Sequence, residues 1–412
     1  MRKNIKLLLI AGLCLLTFSG CGPQPAKYVF YFIGDGMGFS HVSAAEAYKS
    51  AASGEKVGRE NVLFTTFPVL GVANTFSANS NITCSSAAGT ALATGHKTNN
   101  NMLGVDPEGN NLTSIAYPIH EAGYKVGIMT TVNINHATPA SFYANNINRN
   151  NYYAIGSQLP ESGFEFFAGG DFANPKDRSG DKESLFDMCE GAGYSISYGM
   201  NDYNSKKNNS EKVIIFQDRV TDSIYDYTQF PNAFKRSENQ IKLAQTLSAA
   251  IEKLNNDKGF FIMTEGGKID WGAHSNDIAN TVYELLDMEE AIAVAYDFYL
   301  AHPKETLIVI SADHETGGIA LGKKGYYLNM GAIDQLGVEN DDVNGSNYMS
   351  GQVTEDNVST IANIGWTTPD HTGGAVPVWA IGAGSEAFAG SMDNTDIPKK
   401  IIAAMQIDYS FE

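Results

Sequence analysis

Three acidic residues stand where predicted strands end. Asp35, Glu265 and Asp313 each follow a short apolar run that is typical of a strand buried on both faces. Because the carboxyl ends of parallel strands share one edge of a sheet, we expect the three carboxylates to converge there. Three neighbouring negative charges are costly unless cations neutralise them, so this pattern indicates a metal site.

Imidazoles accompany these acids. Asp270 and His274 are four residues apart, which places both side chains on one face of a helical turn and lets them chelate one ion. Taken alone, this pair favours the simpler interpretation of a helix-start acid with a surface histidine. His314 adjoins Asp313, and His371 precedes the last predicted strand. Mixed histidine and carboxylate ligands suit Zn²⁺, whereas an all-oxygen set suits Mg²⁺.

A stretch of small and hydroxyl side chains, Thr83–Gly95, could supply a nucleophile. Its composition predicts a tight turn leading into a closely packed helix. A serine in the first helical turn faces unpaired N–H groups and the positive end of the helix dipole, which suits an alkoxide near a phosphate. Ser85 and Ser86 are adjacent, and composition does not choose between them.

The elements that must position these residues alternate between strand and helix. Predicted strands cover 27–33, 125–131, 212–217, 259–264, 306–311 and 376–381, and predicted helices cover 40–50, 112–122, 238–255, 277–300 and 397–405. This order predicts an α/β fold with a mainly parallel sheet covered on both faces. Two Gly- and Asn-rich stretches, 145–210 and 323–368, are predicted to be irregular insertions, the first with one candidate strand at Gly163–Ala168. No linker divides the chain, so 21–412 is predicted to be a single domain.

The first twenty residues have the composition of an export signal. Three basic residues precede a short apolar run, and Phe18–Cys21 resembles a bacterial lipoprotein cleavage site with Cys21 as the acylated residue. We therefore expect an exported protein, lipid-anchored to the bacterial cell envelope on the periplasmic or outer membrane face. Cleavage would change the formal net charge from −18 to −21. So acidic a body argues against nucleic-acid binding, and an anionic substrate would need metals or single basic residues.

Together these motifs resemble the metal-dependent alkaline phosphatases, in the family's order from Val29 to Trp379. The fragments that carry the resemblance are Ile33–Gly38, Thr83–Gly95, His136–Ala140 with Arg149, Glu265–Asp270 with His274, Ser311–Glu315 and His371–Gly373. The resemblance implies a three-layer α/β sandwich with a large, mainly parallel central sheet. It also implies hydrolysis of small phosphate monoesters and, since members are often dimeric, a homodimer.

Carried over residue by residue, the resemblance makes Ser85 the nucleophile that becomes phosphoserine and Arg149 the clamp on the phosphate. It implies two Zn²⁺ and one Mg²⁺ per chain. The implied ligands are Asp270, His274 and His371 for the first zinc, Asp35, Asp313 and His314 for the second, and Asp35, Thr138 and Glu265 for the magnesium-type site.

Three residues near these ligands depart from the commonest family pattern. Cys84 occupies a position where many members carry an aspartate that orients the arginine, which leaves open what holds Arg149. His136 and Trp271 lie at positions that vary within the family. A histidine in place of a carboxylate near the third site removes one negative charge, so Mg²⁺ should bind more weakly there or Zn²⁺ should compete.

Two alternative functions share parts of this residue pattern. A phosphodiesterase or sulfatase of the same superfamily is less favoured, because diesterases lack the acid of the third site, here Glu265 with Thr138, and because the Cys-x-Pro-x-Arg pattern of sulfatases is absent around Cys84. A non-catalytic phosphate- or metal-binding lipoprotein would retain ligands without needing an intact nucleophile.

Overall fold

The structure is a computed structural model, and it describes residues 24–55, 57–219, 228–238, 240–336 and 355–411. The predicted signal at 1–20 and the predicted lipidation site Cys21 lie outside the described residues. Among the helices of the described part, none combines the length and apolar character needed to cross a bilayer.

The described residues form fourteen strands. They are β1 (Tyr28–Gly34), β2 (Val69–Asn74), β3 (Lys125–Asn133), β4 (Phe166–Gly170), β5 (Tyr194–Tyr198), β6 (Lys212–Phe216), β7 (Phe260–Gly266), β8 (Thr306–Ala312), β9 (Glu315–Thr316), β10 (Ala320–Leu321), β11 (Ile364–Gly365), β12 (His371–Thr372), β13 (Val376–Gly382) and β14 (Gly390–Asp393).

The same residues form twelve α-helices. They are α1 (Phe39–Ala52), α2 (Ser85–Thr94), α3 (Ala116–Glu121), α4 (Ala137–Ala140), α5 (Tyr152–Gly156), α6 (Leu185–Gly191), α7 (Gly199–Lys206), α8 (Leu243–Leu254), α9 (Lys268–His274), α10 (Ile278–Ala301), α11 (Glu355–Ile361) and α12 (Asp396–Met405).

Ten strands form one central sheet in the order β14-β2-β13-β8-β1-β7-β3-β4-β6-β5. Neighbouring strands are parallel except where β13 pairs with β2 and with β8. Every residue of the central strands β1, β7 and β8 is buried, as expected for parallel strands covered on both sides. The predicted α/β fold with a mainly parallel sheet is therefore confirmed.

Alternate side chains of β1 show that both faces of the sheet are covered. Phe30 packs edge-on against Phe298 of α10, with ring centroids 5.6 Å apart, whereas the next residue, Tyr31, packs against Phe142 on the other face. Successive side chains of a strand point to opposite faces, so α10 and the α4 region lie on opposite sides of the sheet.

The first predicted insertion differs from the observed structure. The segment 145–210 contains α5, α6 and α7, and it also contributes β4 and β5 to the central sheet. The strand β4 overlaps the candidate strand Gly163–Ala168, whereas β5 is only five residues long, lies in a Gly- and Asn-rich context and was not predicted. In the second segment, 323–368, the described residues include α11 and β11, while 337–354 lie outside the described part.

Candidate active site

Three adjacent strands, β8, β1 and β7, bring the predicted acids to one edge of the sheet, and β3 lies beside β7. Asp35 directly follows β1, Asp313 directly follows β8, and Glu265 is the penultimate residue of β7. Thr138 lies on α4, shortly after β3. Because the strands are parallel and in register, their carboxyl ends meet, and the structure brings these side chains together as the sequence predicted.

Asp35, Asp313 and His314 form a fully buried set, called here the inner group. His314 Nε2 lies 3.3 Å from Asp35 Oδ1 and 3.2 Å from Asp313 Oδ2. The backbone N–H of Gly36 donates to Asp313 Oδ1 at 3.1 Å, which leaves Oδ2 to face the imidazole. Ser85 Oγ is 3.3 Å from the same His314 nitrogen.

Asp270, His274 and His371 form a second set, called here the outer group. His274 Nε2 lies 3.2 Å from both Asp270 Oδ2 and His371 Nε2, and His371 Nε2 is 3.8 Å from Asp270 Oδ1. The His274 side chain is 38% exposed, whereas Asp270 is almost completely buried. Asp270 and His274 are carried by α9, and His371 arrives through the antiparallel pairing of β12 with β9.

Hydrogen bonds to the far side of each outer imidazole decide which nitrogen is available to a metal. Nδ1 of His274 donates to the carbonyl of Pro369, and Nδ1 of His371 donates to the carbonyl of Thr83 at 2.8 Å. Nε2 of each ring therefore faces Asp270. Histidine ligands of metals commonly donate their second ring N–H in this way.

Thr316 orients a ligand in each group, and sequence reasoning missed it. Its hydroxyl donates to Asp270 Oδ1, so it can only accept from Nδ1–H of His314, 3.2 Å away. His314 is thereby held with Nε2 toward Asp35 and Asp313. Thr316 lies in a two-residue strand, and its residue type and position give no sequence signal that it orients metal ligands.

A third set comprises Asp35, His136 and Glu265. Glu265 accepts a hydrogen bond from the hydroxyl of Thr130, a buried β3 residue that sequence reasoning also missed. Thr138 Oγ1 is buried without a well-formed hydrogen bond. Burial raises the pKa of Glu265 to about 8, although the hydroxyls of Thr130 and Thr138 oppose the shift.

The electrostatics of these groups call for cations. Burial, and then the neighbouring charge of Asp270, raises the pKa of Asp313 to about 7, and burial with the surrounding carboxylates raises that of Asp35. Both oxygens of Asp35, Oδ2 of Asp313 and Oε1 of Glu265 are buried without a hydrogen-bond partner. In the outer group, a hydrogen bond to Asp270 raises the pKa of His274 to about 9, so a proton sits there when no cation does.

The donor sets and spacings fit zinc in the inner and outer groups. In a tetrahedral zinc site with metal–ligand distances of 2.0–2.1 Å, neighbouring ligand atoms lie about 3.3 Å apart. The measured separations of 3.2–3.3 Å in the inner group, and of 3.2, 3.2 and 3.8 Å in the outer group, are close to that value. The third set is richer in oxygen, which suits Mg²⁺.

Ser85 is the first residue of α2, with Cys84 as the N-cap. Helix N–H groups in this first turn point outward and attract negative charge. Ser86 is fully buried, and its Oγ lies 3.2 Å from Cys84 Sγ rather than beside the inner group. The geometry therefore singles out Ser85 as the hydroxyl that faces the metal ligands.

Arg149 contacts His136 at the entrance to the third set. Nη2 of the arginine donates to Nε2 of His136 at 3.1 Å. Burial, and then the charge of Arg149, lowers the pKa of His136 to about 3, so its ring is neutral and can accept this bond. The Trp271 indole packs edge-on against the same imidazole, with ring centroids 6.1 Å apart.

Known proteins with this sequence pattern are phosphatases. The sequence profile of the family described as "Alkaline phosphatase" matches residues 26–174 and 165–407. Alkaline phosphatase 3 of Bacillus subtilis is 32% identical over 97% of both chains.

Solved structures of similar fold include a cold-active alkaline phosphatase from a Shewanella species, with a TM-score of 0.78 and 27% identity, covering 92% of this chain and 99% of that one. Another is a mutant of alkaline phosphatase from the Antarctic bacterium TAB5, in which a histidine is replaced by glutamate and Mg is bound in the M3 site. Its TM-score is 0.74 at 29% identity, covering 94% of this chain and 100% of that one.

Proposed function

Because this chain belongs to the alkaline phosphatase family and is a metal-site phosphatase, we propose that it hydrolyses phosphate monoesters through a phosphoserine formed on Ser85. One observation carries the proposal. The Ser85 hydroxyl lies at the start of α2, 3.3 Å from His314 Nε2, beside buried carboxylate oxygens that have no hydrogen-bond partner.

The Ser85 oxygen loses its proton to solvent and attacks phosphorus, while the bond from phosphorus to the ester oxygen breaks and the leaving alkoxide takes up a proton to become the alcohol. The helix terminus stabilises negative charge near the phosphate. Water then attacks the phosphoserine, the bond from phosphorus to the Ser85 oxygen breaks, and inorganic phosphate leaves as the hydroxyl is regenerated. No histidine is placed as a general base for this serine, since His314 Nε2 also faces Asp35 and Asp313 and burial lowers the pKa of His314.

The inner and outer groups would each hold Zn²⁺, and Asp35, Glu265 and Thr138 would hold Mg²⁺. Bound zinc would lower the pKa of the Ser85 hydroxyl and stabilise the attacking and leaving oxygens of an in-line displacement. The chain's own part is to fix ligand orientation, through Thr316 for the zinc groups and Thr130 for Glu265.

Arg149 would bind the phosphate oxygens. Its planar guanidinium can contact two oxygens at once, and the neutral His136 ring supports it without competing for its charge. In so acidic a protein, a local cation of this kind is what an anionic substrate requires.

The proposal is tested by comparing an aryl monophosphate with a bis-aryl phosphodiester, with and without a chelator. We expect faster monoester hydrolysis that the chelator abolishes and that added Zn²⁺ and Mg²⁺ restore. We also expect Ser85→Ala to lose activity while Ser86→Ala keeps most of it. Faster diester cleavage, or activity that resists chelation, would overturn the proposal.

The identity of the third metal has its own test. In the TAB5 protein, a mutant with glutamate in place of a histidine holds Mg in its M3 site. Replacing His136 by aspartate adds a carboxylate near Glu265, so we expect Mg²⁺ to bind about tenfold more tightly. Metal analysis after equilibration in mixed Zn²⁺ and Mg²⁺ measures this, and unchanged Mg²⁺ content would contradict it.

We further propose that the protein is exported and lipid-anchored through Cys21. The support is the sequence alone, namely the basic and apolar composition of 1–20 and the cleavage-like Phe18–Cys21. Labelling cells with a radioactive fatty acid should mark the wild type but not Cys21→Ala. Equal labelling of both, or of neither, would contradict the anchor.

A further inference from the structure

A turn formed by Asn100 and Asn101 lies between the nucleophile and the arginine. Neither asparagine belongs to the inner group, the outer group or the third set, and neither has a role in the proposed hydrolysis. Their polar atoms nevertheless contact both the segment that precedes Ser85 and the segment that carries Arg149.

Three hydrogen bonds join this turn to the nucleophile side. The N–H of Cys84 donates to Asn100 Oδ1 at 3.0 Å, and Asn100 Nδ2 donates to the carbonyl of Ile82 at 2.9 Å. The N–H of Asn101 donates to Cys84 Sγ at 3.1 Å. The residue that caps α2 is therefore held both by its backbone and by its side chain.

Three backbone hydrogen bonds join the same loop to the arginine side. The N–H of Arg149 donates to the carbonyl of Asn101 at 2.8 Å. Two residues further on, Leu103 and Asn146 exchange N–H···O bonds of 2.9 and 2.7 Å. The segment 146–149 is therefore paired with 101–103 through the backbone.

Asn101 makes the connection possible through its backbone conformation. Its φ is +71°, in the left-handed region that asparagine tolerates better than most residues. In this conformation its N–H is used by Cys84 while its carbonyl is used by Arg149. Asn101 is therefore hydrogen-bonded both to Cys84, the N-cap of α2, and to the backbone of Arg149.

We propose that Cys84, Asn100 and Asn101 are positioning residues that fix Arg149 relative to Ser85, so that Cys84 sets phosphate affinity without touching phosphate. This rests on the proposed role of Arg149 as the phosphate clamp. The Cys84 thiol acts through Asn101, while the guanidinium itself is supported by His136.

A double-mutant cycle on the metal-loaded full chain tests this, with inorganic phosphate as the probe. Its dissociation constant is measured by calorimetry, and its inhibition constant and the KM of an aryl monophosphate are measured kinetically. We expect Cys84→Ala and Asn100→Ala each to weaken phosphate binding about five- to tenfold in the wild type. In an Arg149→Ala background we expect the same changes to have almost no further effect.

Cys189→Ala is the matched control, because Cys189 is a buried cysteine on α6, outside the site. It should change thermal stability without changing phosphate affinity. Equal losses of phosphate affinity from Cys84→Ala in both backgrounds would show a general structural effect and overturn the proposal, as would unchanged affinity in the wild type. If Cys84→Ala does not fold, Asn100→Ala decides by the same criterion.

Failure of this proposal is distinguishable from failure of the proposed function. A wild type that binds phosphate but does not hydrolyse monoesters would refute the function alone. A wild type that hydrolyses monoesters and shows an additive cycle would refute only the positioning role.

Discussion

The inner and outer groups both consist of aspartate and histidine side chains, but different structural elements position them. Asp35 and Asp313 of the inner group are supplied by the ends of adjacent parallel strands, and all three of its members are fully buried. In the outer group, Asp270 and His274 lie on the short helix α9, and His371 lies on β12, which pairs with β9 more than fifty residues earlier in the chain. His274 is also partly exposed. We infer that the sheet fixes the inner group, whereas the outer group depends on a short helix and a short strand outside the central sheet.

The largest effect should come from Asp35, because it belongs to both the inner group and the third set. Asp35→Asn keeps the side chain's shape but removes the charge, so we expect kcat/KM to fall roughly a thousandfold, equivalent to several kcal/mol. Metal analysis should show loss from two positions, while the outer group keeps its ion. Retention of three ions per chain would contradict this.

Thr316→Val tests whether one hydroxyl serves both groups. The substitution removes the donor to Asp270 and the acceptor for His314 at nearly constant volume. We expect zinc affinity, measured by competition with a chromogenic chelator, to fall about 10- to 100-fold at both groups. Thr130→Val is the matched control and should affect the third metal only. A loss confined to one zinc would show that Thr316 does not link the groups.

Much of this organisation could be predicted from the sequence, and the exceptions have physical reasons. Asp35 and Asp313 each follow a continuous apolar run, so their meeting at one edge followed from parallel pairing. His371 could be assigned only through the family resemblance, because no local pattern predicts the pairing of β12 with β9.

Other contributions escaped prediction because their signals are weak. The strand β5 is too short to stand out in a polar segment. Thr130, Thr316 and Asn101 are of types common in strands and turns, and their roles depend on partners that are distant in sequence.

A chelator should remove zinc from the outer group faster than from the inner group. The partly exposed outer group is open to a chelator, whereas the inner group must first be uncovered. We expect release to be biphasic, with the first ion leaving about tenfold faster. Repeating the measurement with His371→Ala should remove the fast phase and leave the slow one. Loss of the slow phase instead would reverse the comparison.

The smallest effect is a pH dependence of the metal-free protein. Burial holds the pKa of Glu265 at about 8 and that of Asp313 at about 7, so the folded chain binds more protons than the unfolded chain between about pH 5 and 8. Stability should therefore fall as pH rises from 6 to 9, by a few kcal/mol at about 1.4 kcal/mol per pKa unit. His274, with a pKa raised to about 9, acts in the same direction.

Thermal unfolding of chelator-treated protein at pH 6 and pH 9 measures this effect. Added Zn²⁺ should restore stability most at the higher pH, where the carboxylates are ionised. A metal-free protein that is more stable at pH 9 would contradict the electrostatic description of both groups.

Trapping the covalent intermediate tests the central claim most directly. The metal-loaded enzyme is mixed with a phosphate monoester, quenched in acid and digested, and the phosphorylated residue is located by mass spectrometry. We predict phosphate on Ser85, absent from Ser85→Ala and from the chelated wild type. Phosphate on Ser86, or turnover of the monoester by Ser85→Ala at the wild-type rate, would contradict the assignment.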